Sequence, residues 1–192
     1  MTGLVLQEFE TSVKWLELLK QIAPRASQVG WLYVPGVEKP EVAEAERKKE
    51  DAAARSLGLE VQRVTVRGPD DLTRAFATLA QQGAHAVVVP NTSLLNPLGT
   101  QIASLAINHQ LPALGSSAFA RAGGLLAYGP DGTDMYRRAA RYVDTILKGA
   151  KPADLPMEGP PKFELIVNLK TARALGLTIP SSVLEQASQK IE

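Results

Sequence analysis

Between residues 29 and 128 the chain alternates short, β-rich apolar runs with longer segments of helical pattern. VGWLYV (29–34) and AVVVP (86–90) are continuous apolar runs, the pattern of strands covered on both faces in a parallel sheet. LEVQRVTV (59–66) alternates and is expected nearer a sheet edge, while LPALG (111–115) and LLAY (125–128) read as short strands. Pro40 opens a charged helix that Gly58 closes, with Glu44/Lys48 and Asp51/Arg55 spaced as i,i+4 pairs. Pro69-Asp70-Asp71 starts the next helix, whose core stripe is Leu72, Ala75, Phe76, Leu79 and Ala80. A helix over 94–109 and a brief helical turn over 118–122 complete the series. Strand–helix repetition of this kind implies right-handed crossovers. The fold class is therefore α/β: a Rossmann-like open parallel sheet with helices on both faces.

The flanking segments do not follow that repeat. Residues 11–23 read as a helix with Val13, Leu16, Leu19 and Ala23 on one stripe and Trp15, Leu18 and Ile22 on another. Apolar residues over so much of the circumference call for burial from more than one side. After residue 128 comes a Gly129-Pro130-Asp131-Gly132 turn and a helix over 134–148, with Met135, Ala139, Tyr142, Val143 and Ile146 as its stripe. A proline-rich, extended connection follows. FELIVN (163–168) is another strand, 169–175 a short helix, and 180–191 a C-terminal helix.

Composition excludes several function classes. A net charge of +1 supplies no positive field for nucleic acid. With no cysteine and two histidines, thiolate chemistry and a histidine-rich metal centre are out, and no cofactor is expected. The first 24 residues lack the basic start and apolar run of a signal peptide. No stretch approaches the ~20 apolar residues of a membrane helix. A phosphoryl-accepting receiver needs acids where this chain has Pro35-Gly36 and Pro90-Asn91. Neither a glycine-rich phosphate loop after residues 29–34 nor a Gly-x-Ser-x-Gly elbow occurs, so the chain is not expected to be an enzyme.

In an open parallel sheet, ligands sit beyond the carboxyl ends of the strands, where helix N-termini present free N–H groups. Those loops place Pro35, Gly36, Asn91, Thr92, Ser93, Ser116, Phe119, Tyr128 and Asp131 as ligand-binding candidates, with Ser117 beside them. Hydroxyls and helix ends suit a carboxylate, Asp131 an ammonium, and an aromatic ring an apolar side chain. Each has a structural alternative. Asn91, Thr92 and Ser93 suit the cap of the 94–109 helix, Ser116 and Ser117 a turn, and Phe119 the core. Tyr128 suits hinge packing, and Asp131 and Thr133 the start of the 134–148 helix. His85 and His109 have no evident partner in the sequence.

Four blocks carry a resemblance: KWLELLKQIAPRASQVGWLYVP, AAARSLGLEVQRVTVRGPDDL, AFARAGGLLAYGPDGTDMYRRAARYVDTILKGAKPADLP and KFELIVNLKTARALGLTIPSSVL. In this order and spacing the chain resembles the C-terminal part of the ABC transporter substrate-binding proteins, the family that includes tryptophan/tyrosine-binding lipoproteins. The resemblance implies a two-lobed type I periplasmic binding protein that holds a small organic solute, such as an amino acid, in an interlobe cleft. It also implies an ABC transporter permease as partner and a periplasmic or cell-surface location. The alternative is the ligand-sensing domain of a regulator with the same fold. On the family pattern, 1–28 is a remnant of the first lobe, 29–130 the second lobe, 131–160 a return toward the first lobe, and 161–192 a C-terminal strand and helices. Most of the first lobe then lies outside the sequence. The 11–23 and 134–148 helices are accordingly expected to expose apolar faces, pairing in a homodimer or lowering solubility.

Overall fold

The structure is a computed structural model that describes residues 2–5, 9–37 and 39–192. The chain runs β1 (Gly3–Leu4), α1 (Phe9–Ile22), β2 (Gln28–Tyr33), α2 (Pro40–Ser56), β3 (Glu60–Thr65), α3 (Asp71–Gln81) and β4 (Ala86–Val88). A 3₁₀ turn (Asn96–Leu98) then leads into α4 (Gly99–Asn108), β5 (Ala113–Gly115), α5 (Ser117–Arg121), β6 (Leu126–Pro130) and α6 (Gly132–Leu147). The chain ends with β7 (Met157–Glu158), β8 (Phe163–Asn168), α7 (Leu169–Ala174), α8 (Ser181–Gln186) and β9 (Gln189–Ile191).

Seven strands form the main sheet in the order β3-β2-β4-β5-β6-β8-β9. All neighbours are parallel except β6 and β8, which pair antiparallel. The alternating strand β3 is an edge, and the continuous apolar run in β4 is fully buried. Period-two geometry divides the core. Ala86 and Val88 face one cluster with Trp31 and Leu114, whereas Val87 and Val89 face the other with Leu32, Phe76 and Ile102. Helices α3 and α4 cover the second face; α1 and α8 cover the first.

The double apolar stripe of α1 finds its explanation here. Trp15, Leu16, Leu18, Leu19 and Ile22 are all buried, and the helix packs between α2, α8 and strands β5 and β6. The expectation that this helix would present an apolar face is therefore wrong. The sheet and two flanking helices already occupy its circumference. Helix α6 exposes Tyr136, Val143 and Leu147, of which only Val143 belongs to the expected stripe; Met135 is buried and Ala139, Tyr142 and Ile146 are half-buried.

Three local expectations also change. The C-terminal helix stops at Gln186, and 189–191 become an edge strand beside β8. Ser188 N–H donates to the Leu165 carbonyl (2.8 Å) and its Oγ accepts from Leu165 N–H (3.2 Å), so an open sheet edge outcompetes the helical pattern. Residues 157–158, within the proline-rich connection, pair in parallel with 3–4 as a separate two-stranded sheet. Asp51 reaches Arg63 on β3 (2.6 Å) instead of Arg55, while Glu44–Lys48 forms as spaced. Both histidines have structural places: His85 Nδ1 accepts from Gln28 N–H (3.3 Å), and His109 stacks on Phe76 (6.2 Å).

Candidate functional site

The carboxyl ends of β2, β4, β5 and β6 open toward the same edge of the sheet, because these strands run parallel. Beyond that edge lies a hollow of about 670 Å³. One wall comes from the α/β body: Thr11 and Trp15 at the start of α1, Asn91 after β4, and Ser116 and Ser117 after β5. The opposite wall is Leu4 of β1 with Met135, Tyr136 and Ala139 of α6, and residues 128–133 join the two. A smaller hollow of about 110 Å³ adjoins it and shares Trp15 and Asn91.

Local chemistry sets each side chain. Ser116 has extended backbone (φ −74°, ψ 164°) and caps α5, its Oγ accepting from Phe119 N–H at 3.3 Å. Gly115 holds that loop close to β4: a Cβ there would stand 2.7 Å from the Val89 carbonyl oxygen. Asp131 caps α6 through one oxygen, Oδ1, which accepts from Thr133 N–H (3.0 Å) and Asp134 N–H (3.2 Å). Thr133 lies inside the first turn and does not cap it. Thr92 Oγ1 accepts from Leu95 N–H (3.1 Å), and Asn91 Oδ1 accepts from Asn96 Nδ2–H (2.8 Å).

Aromatic residues brace the floor. Trp15 Nε1–H donates to the Tyr128 carbonyl (2.7 Å), and the Tyr128 ring stacks on Phe163 with centroids 5.5 Å apart. Trp15 and Trp31 lie 6.4 Å apart and line the smaller hollow. There Arg63 sits over the Trp31 ring (5.8 Å) while bonded to Glu50 (2.8 Å) and Asp51 (2.6 Å), and Arg47 sits over Tyr33 (5.5 Å). Arg121 and Glu164 flank the larger hollow, 3.5 Å apart. Among the described residues no group of three or more His, Cys, Asp or Glu side chains is placed to hold a metal.

Of the residues proposed from sequence, Asn91, Ser116, Tyr128 and Asp131 come together around the larger hollow, with Ser117. Thr92 joins Asn91 at the smaller one. Pro35 and Gly36 turn out to solvent, and neither they nor Ser93 line either hollow. Phe119 does not face the cleft: it is 4% exposed in the core, packed against Gly115 and Gly124. Sequence reasoning missed Thr11, Trp15, Arg121 and Glu164. The first two stand at the head of an apolar helix and Glu164 on a strand, with no local sign that these points converge.

Residues 1–191 match the family model described as ABC transporter substrate binding protein. No curated protein matches the chain. Among solved structures, a conserved domain protein from Vibrio cholerae is 25% identical with a TM-score of 0.84, covering 98% of this chain and 62% of that one. An ABC domain in complex with L-Trp from Streptococcus pneumoniae is also 25% identical, with a TM-score of 0.80 and coverage of 99% and 64%. A ligand-free, open substrate-binding protein with adhesive properties from Clostridium difficile shares the fold at 21% identity and a TM-score of 0.73, over 100% of this chain and 63% of that one. The chain thus spans less than two thirds of the length of each. Their common architecture is that of type I periplasmic binding proteins.

Proposed function

The chain belongs to the ABC transporter substrate-binding protein family, and on that premise we propose that it is the solute-binding component of an ABC importer. It holds a small organic solute such as an amino acid in the larger hollow and presents it to a membrane permease. The family is a class of binding proteins, not of enzymes. No helix among the described residues is long and apolar enough to cross a membrane. A periplasmic or cell-surface location fits that role.

The observation that carries this reading is the placement of the hollow between two walls that, among the described residues, the chain joins at β6 to α6 and at β7 to β8. Walls joined by such passages close by hinge motion, and a solute that touches both favours the closed form. Residues 29–130 supply most of one wall, whereas 131–160 with β1 supply the other. Ser116, Ser117 and Asn91 offer polar groups, Tyr128 an aromatic ring, and Asp131 a carboxylate, which together suit a small zwitterion. A regulator's ligand-sensing domain has the same fold, but the family match favours transport.

The test is a thermal-shift screen of amino acids, sugars and other small solutes. Binding to the native state raises the melting temperature by mass action. A solute that shifts the wild-type chain, and shifts an Asp131→Ala with Ser116→Ala double variant much less, supports the reading. A uniform absence of shift, in this chain and in one extended to the length of its structural neighbours, would count against it.

A further inference from the structure

The open side of α6 follows a heptad spacing. Tyr136, Ala140, Val143 and Leu147 are all exposed, and their steps of four, three and four residues are those of alternating a and d positions. At about 100° per residue the four lie within about 60° of one another around the helix. Met135, Ala139, Tyr142 and Ile146 take the adjoining side and are buried or half-buried. The open stripe is thus distinct from the side on which the helix rests against its own chain.

Charge and size select what covers this stripe. Its outer flank carries Arg137 and Asp144, both exposed. Arg137 has no ion-pair partner among the described residues, and Asp144 pairs with Lys148 four residues on (2.8 Å), an exposed contact that contributes little. A second copy laid antiparallel, with the two-fold axis between residues 141 and 142, complements all of these groups. Tyr136 then meets Leu147 of the second copy and Ala140 meets Val143, each contact occurring twice, with the small Ala140 allowing close approach. Arg137 falls beside Asp144 of the second copy, offset by about 3 Å along the axis. In a parallel pair the two charges would face Gly132 and Ala139 instead, and the helix dipoles would oppose the pairing. The helix also needs no ordering on association, because Asp131 caps it and Arg138 and Tyr142 tie it to residues 156–158.

We propose that α6 is a homodimer surface that pairs antiparallel with α6 of a second copy, through Tyr136, Ala140, Val143 and Leu147 and flanking Arg137–Asp144 ion pairs. The contact is isologous, so it closes as a dimer and does not propagate into a filament. Four side chains from each copy make a smaller patch than the about 20–30 residues a side of a stable interface, so the dimer exchanges, with a dissociation constant on the order of 10–100 µM.

Sedimentation equilibrium of the whole 192-residue chain tests this. Tyr136 also lines the larger hollow and is left unchanged. The wild type dimerises in that concentration range, Leu147→Glu weakens the dimer by about tenfold or more without lowering the melting temperature, and Arg137→Glu or Asp144→Arg alone weakens it severalfold. The two charge reversals together restore it. Because the chain has no cysteine, single cysteines at the exposed Arg141 and Lys148 positions carry spin labels. In the antiparallel pair the labels at 141 lie close together, whereas those at 148 are displaced by about 20 Å along the axis. Equal short separations at both positions indicate a parallel pair and overturn the proposal, as does a monomer at every concentration, a dimer indifferent to Leu147→Glu, or a double reversal that restores nothing. A chain extended to the length of its structural neighbours separates the other occupant. If the added residues cover the stripe, that chain stays monomeric and Leu147→Glu lowers its melting temperature, which also overturns the proposal.

Discussion

Trp15 joins the core to the cleft through a single donor. Its indole N–H pairs with the Tyr128 carbonyl at 2.7 Å, and its ring is 4% exposed. Replacing it with phenylalanine keeps an aromatic ring but leaves that carbonyl short of a partner, so Trp15→Phe should cost about 1–3 kcal/mol. Urea denaturation measures the loss; a change of only a few tenths would mean that water replaces the bond. Trp15 and Trp31 are the two tryptophans of the chain and both line the smaller hollow. Intrinsic fluorescence therefore reports on the cleft, and a bound solute that lacks an indole should alter it. Gly115→Ala acts by crowding. The added Cβ would meet the Val89 carbonyl oxygen at 2.7 Å and the Phe119 ring at 3.0 Å. Overpacking against backbone should destabilise by about 1–3 kcal/mol and displace Ser116. Unchanged denaturation midpoints would show that the loop gives way freely.

At the scale of elements, α6 is the exposed part of the cleft wall, tied to the β7 segment by Arg138 and by the Tyr142 hydroxyl, which donates to the Pro156 carbonyl (3.1 Å). Arg138 bonds Asp134 on its own helix (2.9 Å) and Glu158 on β7 (3.1 Å). The hydrogen bond from Arg138, with its charge, holds the Asp134 carboxyl below its ordinary value of 3.8. A group whose pKa is depressed by folding stabilises the native state above its unfolded value and loses that contribution as pH falls through the folded one. Acidification from about pH 5 to about pH 2 should thus lower the melting temperature of the wild type more steeply than that of Asp134→Asn. Parallel curves for the two proteins would place the acid sensitivity elsewhere. The neighbouring β7 shows why this wall was hard to foresee. Met157 and Glu158 lie in a stretch rich in proline, and nothing local marks them as a strand until Gly3 and Leu4 pair with them.

For the whole molecule, the consequential surface is the open stripe of α6. Tyr136 and Leu147 are each 81% exposed and Val143 56%, with Met157 (50%) also exposed on β7. Large apolar side chains gathered along one helix face drive association. The chain should show concentration-dependent self-association in light scattering, reduced by the Tyr136→Ser, Leu147→Glu pair. A monomer throughout the concentration range would remove that face from consideration. Because α1 is already buried, α6 would carry this contact without it.

The sequence alone determined the α/β class, the strand faces, the edge position of β3 and the family, since all of these follow from local periodicity and from the order of four blocks. It also located Asn91, Ser116, Tyr128 and Asp131 at strand ends, where an open sheet receives ligands. The tertiary structure decided what depends on distant partners. Phe119 went to the core because Gly115 and Gly124 leave room for its ring, and 189–191 became a strand because β8 had an open edge. The pairing of 3–4 with 157–158 closes a loop of about 150 residues that no local pattern records. The same holds for Thr11: its hydroxyl reads as an ordinary helix residue until the fold buries it at the head of α1, in the wall of the cleft.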